Sequence, residues 1–154
     1  VHIGITEAGS GTSGIVKGAA GISLMLAQGI GDTIRVSLTA PSVEEVRVGY
    51  RILGALEIRE RGYSIISCPT CGRRRIDVAR LINEVETLLP EGIRDGTTIA
   101  VMGCEVNGPK EAAGADIGIA GTPDGFVLFR KGKPVCNDIV KNLKKRLLEE
   151  IGRL

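Results

Sequence analysis

The chain has 154 residues, 43% hydrophobic and 25% charged, a globular balance that excludes wholesale disorder. Aromatic residues make up only 3%, with no Trp, which argues against a single-strand nucleic-acid binder that stacks bases on aromatic rings. Twenty Lys+Arg against eighteen Asp+Glu leave +2, too even a balance to specify a polyanionic partner. No stretch reaches the roughly 18 consecutive apolar residues of a membrane span, and no basic-then-apolar leader opens the chain. Residues 1–5 (Val-His-Ile-Gly-Ile) read as the interior of a strand, so the sequence is expected to be a piece of a longer one. Four cysteines without export features point to a reducing, cytoplasmic compartment, where thiols serve more often as metal ligands or catalytic groups than as disulfides.

In chain order, residues 1–6 predict a short strand that ends in a Gly/Ser-rich turn, residues 8–14. A helix of small apolar residues follows over 15–28. Residues 33–38 alternate as a strand, and Pro41 and Ser42 open a second helix. Ser42 and Glu45 have capping-box spacing, and Val43, Val46, Tyr50 and Leu53 trace a candidate buried face. Strand, helix, strand, helix is the βα repeat of a parallel sheet or a barrel. The character changes near residues 56–62, where a domain boundary divides 1–56 from 62–154. Beyond it, a strand over 63–67 runs into Cys68. A regular helix over 77–89 places Val78, Leu81, Ile82, Val85, Leu88 and Leu89 on one face. A strand over 98–102 leads to Cys104. Short strands over 117–120, 126–129 and 133–135 follow, the last two joined across Lys131-Gly132. A final helix over 138–151 turns Val140, Leu143, Leu147 and Ile151 inward.

The turn Gly9-Ser10-Gly11-Thr12-Ser13-Gly14 matches G-x-G-x-x-G between a strand and a helix. Dinucleotide binding fits poorly, because Asp32 precedes the second predicted strand where the ribose-binding acid should end it. An anion site at the helix N-terminus and a plain packing turn remain as readings. Cys68-Pro69-Thr70-Cys71 sets two sulfurs at metal-ligand spacing, and a sheet can bring Cys104 to the same edge. Three thiolates can hold a cubane cluster with one iron left for another ligand. A fourth from Cys136 would make a four-cysteine zinc site instead. Thioredoxin-like redox chemistry and buried structural thiols are the other possibilities. Cys136, in its hairpin, reads as packing. Arg73-Arg74-Arg75 is either a solvated turn, a charge-compensating neighbour of an anionic cluster, or a surface for an acidic electron donor.

Four blocks in order carry a resemblance. They are Thr6-Glu7-Ala8-Gly9, Gly29 through Leu38 (GIGDTIRVSL), Ser67-Cys68-Pro69-Thr70-Cys71-Gly72-Arg73, and Val101-Met102-Gly103-Cys104 with Val106-Asn107-Gly108-Pro109-Lys110-Glu111. Together they resemble the 4-hydroxy-3-methylbut-2-enyl diphosphate synthase family, iron–sulfur oxidoreductases of the methylerythritol phosphate route to isoprenoids. The resemblance implies an α/β fold: the last βα units of a (β/α)8 (TIM) barrel in 1–56, then a small mixed-sheet α/β domain in 62–154 holding a [4Fe-4S] cluster. It implies Cys68, Cys71, Cys104 and Glu111 as iron ligands. Arg35, Ser37 and Asn107 would bind substrate, and Glu7 resembles the family's acid. The implied reaction is the two-electron reductive ring opening and dehydration of 2-C-methyl-D-erythritol 2,4-cyclodiphosphate to 4-hydroxy-3-methylbut-2-enyl diphosphate. The implied electron donor is flavodoxin or ferredoxin, and the implied assembly is a homodimer; neither nucleic acid nor membrane is involved. Most of such a barrel is missing from this stretch, which alone should be inactive. Lys110 stands where the family has a glycine, a strained exchange wherever that glycine has φ > 0.

Overall fold

A computed structural model describes residues 1–69, 71–90, 92–106, 110 and 112–154. They form two compact units, Val1–Arg61 and Gly62–Leu154. The architecture is mixed α/β, and among the described residues no helix is long and apolar enough to cross a membrane.

The first unit runs β1 (His2–Gly4), α1 (Gly11–Leu26), β2 (Thr33–Arg35) and α2 (Ser42–Ala55). The two strands pair in parallel, with Gly4 opposite Arg35, and Ile3, Ile22, Val36, Val48 and Ile52 form the core between sheet and helices. The first helix starts four residues earlier than its apolar pattern suggests. Gly11, at φ +53°, turns the chain into it from an extended Ser10. A Cβ on Gly14 would lie 2.8 Å from the Gly9 backbone, so only glycine lets the turn close this tightly. β2 is shorter than expected. Past Val36 the N–H of Leu38 donates to the Glu45 carboxylate at 2.8 Å and that of Thr39 to the Gly9 carbonyl at 2.9 Å.

That use of Glu45 overturns the expected capping box: Pro41 is the N-cap of α2, and no side chain caps it. The expected buried face of α2 is corrected too. Val43 and Val46 are each 59% exposed, whereas Val48, Gly49 and Ile52 are buried. Val48 and Ile52 turn inward instead, packing with Ile3, Ile22 and Val36.

The second unit is a five-stranded sheet in the order β3 (Tyr63–Ser67), β4 (Thr97–Met102), β5 (Ile117–Thr122), β6 (Gly125–Arg130), β7 (Lys133–Asp138). β3, β4 and β5 are parallel, which requires crossover connections, and β5, β6 and β7 are antiparallel. The first crossover contains α3 (Val78–Leu88), whose N-cap Asp77 accepts the Arg80 N–H at 3.1 Å. The β6–β7 turn places Lys131 and Gly132 both at positive φ, the primed geometry that suits strand twist. On one face Ile99, Val101, Ile117 and Ile119 meet α3 and the closing helix α4 (Leu143–Ile151). On the other, Ala100, Met102 and Ala120 pack with Ala112, Ala115 and Phe129.

The final helix departs from expectation at its start. A 3-10 turn over Val140–Asn142 precedes α4, and Val140 is 52% exposed rather than inward. The Asp138 carboxylate explains the tighter entry, accepting from Ile139 N–H, Asn142 Nδ2 and Arg146 Nε. Hydrogen bonds from Asn142 and then Arg146 hold its carboxyl below the usual carboxylate range.

Leu147 is fully buried. Leu147→Ala is therefore expected to destabilise the second unit by about 3 kcal/mol in urea denaturation. Val140→Ala, at an exposed position, should stay within about 0.5 kcal/mol. Equal losses would restore Val140 to the core.

Candidate functional site

Parallel pairing of β3 with β4 sets Ser67 opposite Val101, so both strands end at one edge of the sheet. Cys68 follows β3 directly there, and Gly103 and Cys104 follow β4 by one and two residues. Cys68 is half-buried and packs against both faces of the core. Its Sγ accepts the backbone N–H of Gly103 at 3.1 Å. Gly103 is crowded. A Cβ there would lie 3.2 Å from Val78, 3.4 Å from Arg74 Cβ and 3.5 Å from Cys68 Sγ. Gly121, in β5, makes the matching allowance, since a Cβ on it would lie 2.9 Å from the Gly103 carbonyl oxygen.

The loop after Cys71 is fastened to the same edge. Arg74 N–H donates to the Cys71 carbonyl at 3.2 Å and Arg75 N–H to the Gly103 carbonyl at 2.7 Å. Cys71 is exposed and Cys104 is buried. The backbone N–H of Arg73, aided by its side chain, lowers the Cys71 thiol below the ordinary range. Cys136 lies elsewhere, on β7 opposite Leu128, two strands beyond β5 in the sheet order.

The cysteines are free thiols. Among the described residues no three His, Cys, Asp or Glu side chains converge closely enough to hold a metal ion. The donor set nonetheless fits a soft metal group: three thiols follow adjacent parallel strands, one sulfur already accepts a backbone N–H, and another is biased toward thiolate. Asn107 and Glu111 lie outside the described residues. Lys110 is exposed, and Ala112 is fully buried in the Ala/Met/Phe cluster.

The first unit gathers polar groups at its own carboxyl edge. Arg35 ends β2 and is exposed, and its Nη2 donates to the Thr6 hydroxyl at 3.2 Å. Glu7 is exposed, at φ +58°, a conformation uncommon outside glycine. Its carbonyl accepts Lys17 Nζ at 3.3 Å. Ser37 is half-buried two residues past Arg35, with buried Val36 between them. In the Gly9–Gly14 turn, Gly14 N–H donates to the Ser10 carbonyl and the Gly9 carbonyl accepts from Thr39 N–H.

Three contributors escaped sequence reasoning. Thr6 steadies Arg35, Gly103 donates to sulfur, and Glu105, beside Cys104, has a buried Oε2 without a hydrogen-bond partner among the described residues. The only prior signal for Gly103 was its place in Met-Gly-Cys.

Residues 64–153 match the GcpE protein C-terminal domain, and residues 1–50 match the GcpE TIM-barrel domain. Three similar curated proteins are each named 4-hydroxy-3-methylbut-2-en-1-yl diphosphate synthase (flavodoxin). The one from Ruminiclostridium cellulolyticum is 46% identical, that from Geobacter sulfurreducens 49% and that from Caldanaerobacter subterraneus subsp. tengcongensis 53%. Each alignment covers 100% of this chain and 43% of the relative, so the chain spans less than half the length of these relatives.

The thiol environments order the reactivity of the metal-free, reduced protein. Iodoacetamide at neutral pH should alkylate exposed Cys71 first and buried Cys104 last, read by peptide mass spectrometry. Because the Cys71 thiol is lowered, its rate should level off at a lower pH than that of an ordinary thiol. Earlier labelling of Cys104 would contradict this environment.

Proposed function

The chain belongs to the GcpE family, and on that footing we propose that it carries the cluster domain and part of the barrel of a 4-hydroxy-3-methylbut-2-enyl diphosphate synthase. In this reading residues 1–56 supply the last βα units of a (β/α)8 barrel and residues 62–154 form the iron–sulfur domain. The observation that carries it is the placement of Cys68, Cys71 and Cys104 just past the carboxyl ends of adjacent parallel strands. Cys68, Cys71 and Cys104 hold a [4Fe-4S] cluster as thiolates, and Glu111 is the fourth, replaceable ligand. When bound, that cluster supplies electrons one at a time for the two-electron reductive opening and dehydration of 2-C-methyl-D-erythritol 2,4-cyclodiphosphate.

The chain's own residues bind and orient. Arg35 offers a planar fork of N–H donors to a diphosphate, and its bond to Thr6 fixes where that fork points. Ser37, two residues past the end of β2, adds a hydroxyl. Glu7 stands at a strand's carboxyl end, where barrel chemistry is concentrated, and delivers a proton from its carboxyl to the departing hydroxyl. Asn107 orients the substrate. The N–H of Gly103 donates to Cys68 Sγ and fixes where that sulfur sits. Flavodoxin, the donor in the relatives' names, or ferredoxin supplies the electrons in the cytoplasm. The protein works as a homodimer in which the cluster domain of one chain serves the barrel of the other.

Anaerobic purification with metal and sulfide analysis tests the cofactor. About four irons and four sulfides per chain are expected. Cys104→Ser should lose the brown absorbance and Cys136→Ser should keep it. One zinc per chain, lost equally in both variants, would establish a structural four-cysteine zinc module instead.

For the protein at its full encoded length, Arg35→Gln should weaken substrate binding at least tenfold while the Tm moves by less than about 2 °C, because an exposed arginine contributes little to stability. Unchanged binding with a large fall in Tm would make Arg35 structural.

A further inference from the structure

Arginine is handled in two ways in residues 62–154. Five of the eight arginines there are ion-paired. Arg80 meets Glu84, Arg94 meets Asp116, Arg130 and Arg153 share Glu150, and Arg146 joins Asp138 and Glu149. The remaining three are Arg73, Arg74 and Arg75. All are exposed, and none forms an ion pair with any described residue. The nearest acid along the chain, Asp77, is committed to the Arg80 N–H. Three adjacent like charges with no ion-paired acid among the described residues repel one another, and proteins ordinarily intersperse the signs.

The backbone under these side chains is fixed. Arg74 N–H is bonded to Cys71 and Arg75 N–H to Gly103, so the arginines project from the edge that carries Cys68 and Cys104. A pinned backbone limits the ordering cost of binding to the side chains. A stripe of stacked aromatics, as a nucleic-acid strand would need, is lacking in a chain with 3% aromatic residues and a charge of +2.

We propose that Arg73, Arg74 and Arg75 form the docking surface for an acidic redox protein, steering it onto the cysteine edge of the sheet. The inference rests on the iron–sulfur reading above and adds to it the face by which the donor arrives. Charges at the rim of such a contact act mainly on encounter and on salt dependence.

The test is calorimetric titration of the cluster-loaded protein, at its full encoded length, with purified flavodoxin over a series of salt concentrations, and with ferredoxin in parallel. Arg73 stays unchanged because it contacts Cys71. Arg74→Gln/Arg75→Gln should weaken association about tenfold at low salt and flatten its salt dependence. Lys144→Gln/Lys145→Gln removes the same charge from the last helix and should bind as the unmodified protein does. Equal weakening in both double variants, no weakening in the arginine variant, or no salt-sensitive binding of either donor overturns the proposal. So does displacement of the donor by pyrophosphate beyond that caused by sodium chloride of equal ionic strength, which would mark a phosphate site. Iron and sulfide content is measured on every sample. Absence of iron from the unmodified protein defeats the iron–sulfur reading, whereas a full cluster with unaltered docking defeats only this inference.

Discussion

A backbone N–H bonded to a cysteine sulfur organises the candidate site. Gly103 and Cys68 are 35 residues apart in sequence, and their bond requires β3 and β4 to end side by side in one parallel register. Because side chains alternate along a strand, a slip of one residue would turn Cys68 to the opposite face and remove the acceptor. A Cβ on Gly103 would press on Val78 at 3.2 Å, and one on Gly121 would crowd the Gly103 carbonyl oxygen at 2.9 Å. Cys68 and Cys104 therefore reach one edge of the sheet through strand pairing, before any metal is considered.

The same constraint recurs in the first unit. β1 and β2 are parallel, and Thr6, Glu7, Arg35 and Ser37 lie at or just past their carboxyl ends. Carboxyl ends of parallel strands collect functional groups because the chain leaves the sheet there in loops whose side chains are free of core packing. Glu7, in the left-handed region, shows the backbone accommodating such a position at some conformational cost.

Electrostatics in the second unit separates structural charge from available charge. Glu150 is 6% exposed and is held between Arg130 and Arg153, an arrangement in which removing one partner strands a buried carboxylate. Asp138 is likewise saturated by its own helix entry and by Arg146. Against this background of committed acids, Arg73, Arg74 and Arg75 stand out beside Cys71 as arginines without an ion pair among the described residues.

Much of the architecture was legible from the residues. The apolar stripe of α3, the buried runs of β4 and β5 and the Lys131-Gly132 hairpin follow from local periodicity and turn chemistry, which tertiary structure does not override. The order of the motif blocks announced the family. Local pattern failed where packing chose between equivalent options. The valines of α2 marked one face as buried, yet Val48 and Ile52 on another face join the core with Ile3, Ile22 and Val36. Val140 fitted a helical stripe, but the hydrogen bonds of Asp138 tightened the turn beneath it. The sequence by itself thus determined which elements exist and which residues carry reactive groups. Only the tertiary structure decided that Gly103 donates to Cys68 and that Arg35 donates to Thr6, because those partners are joined by strand pairing and not by any spacing along the chain.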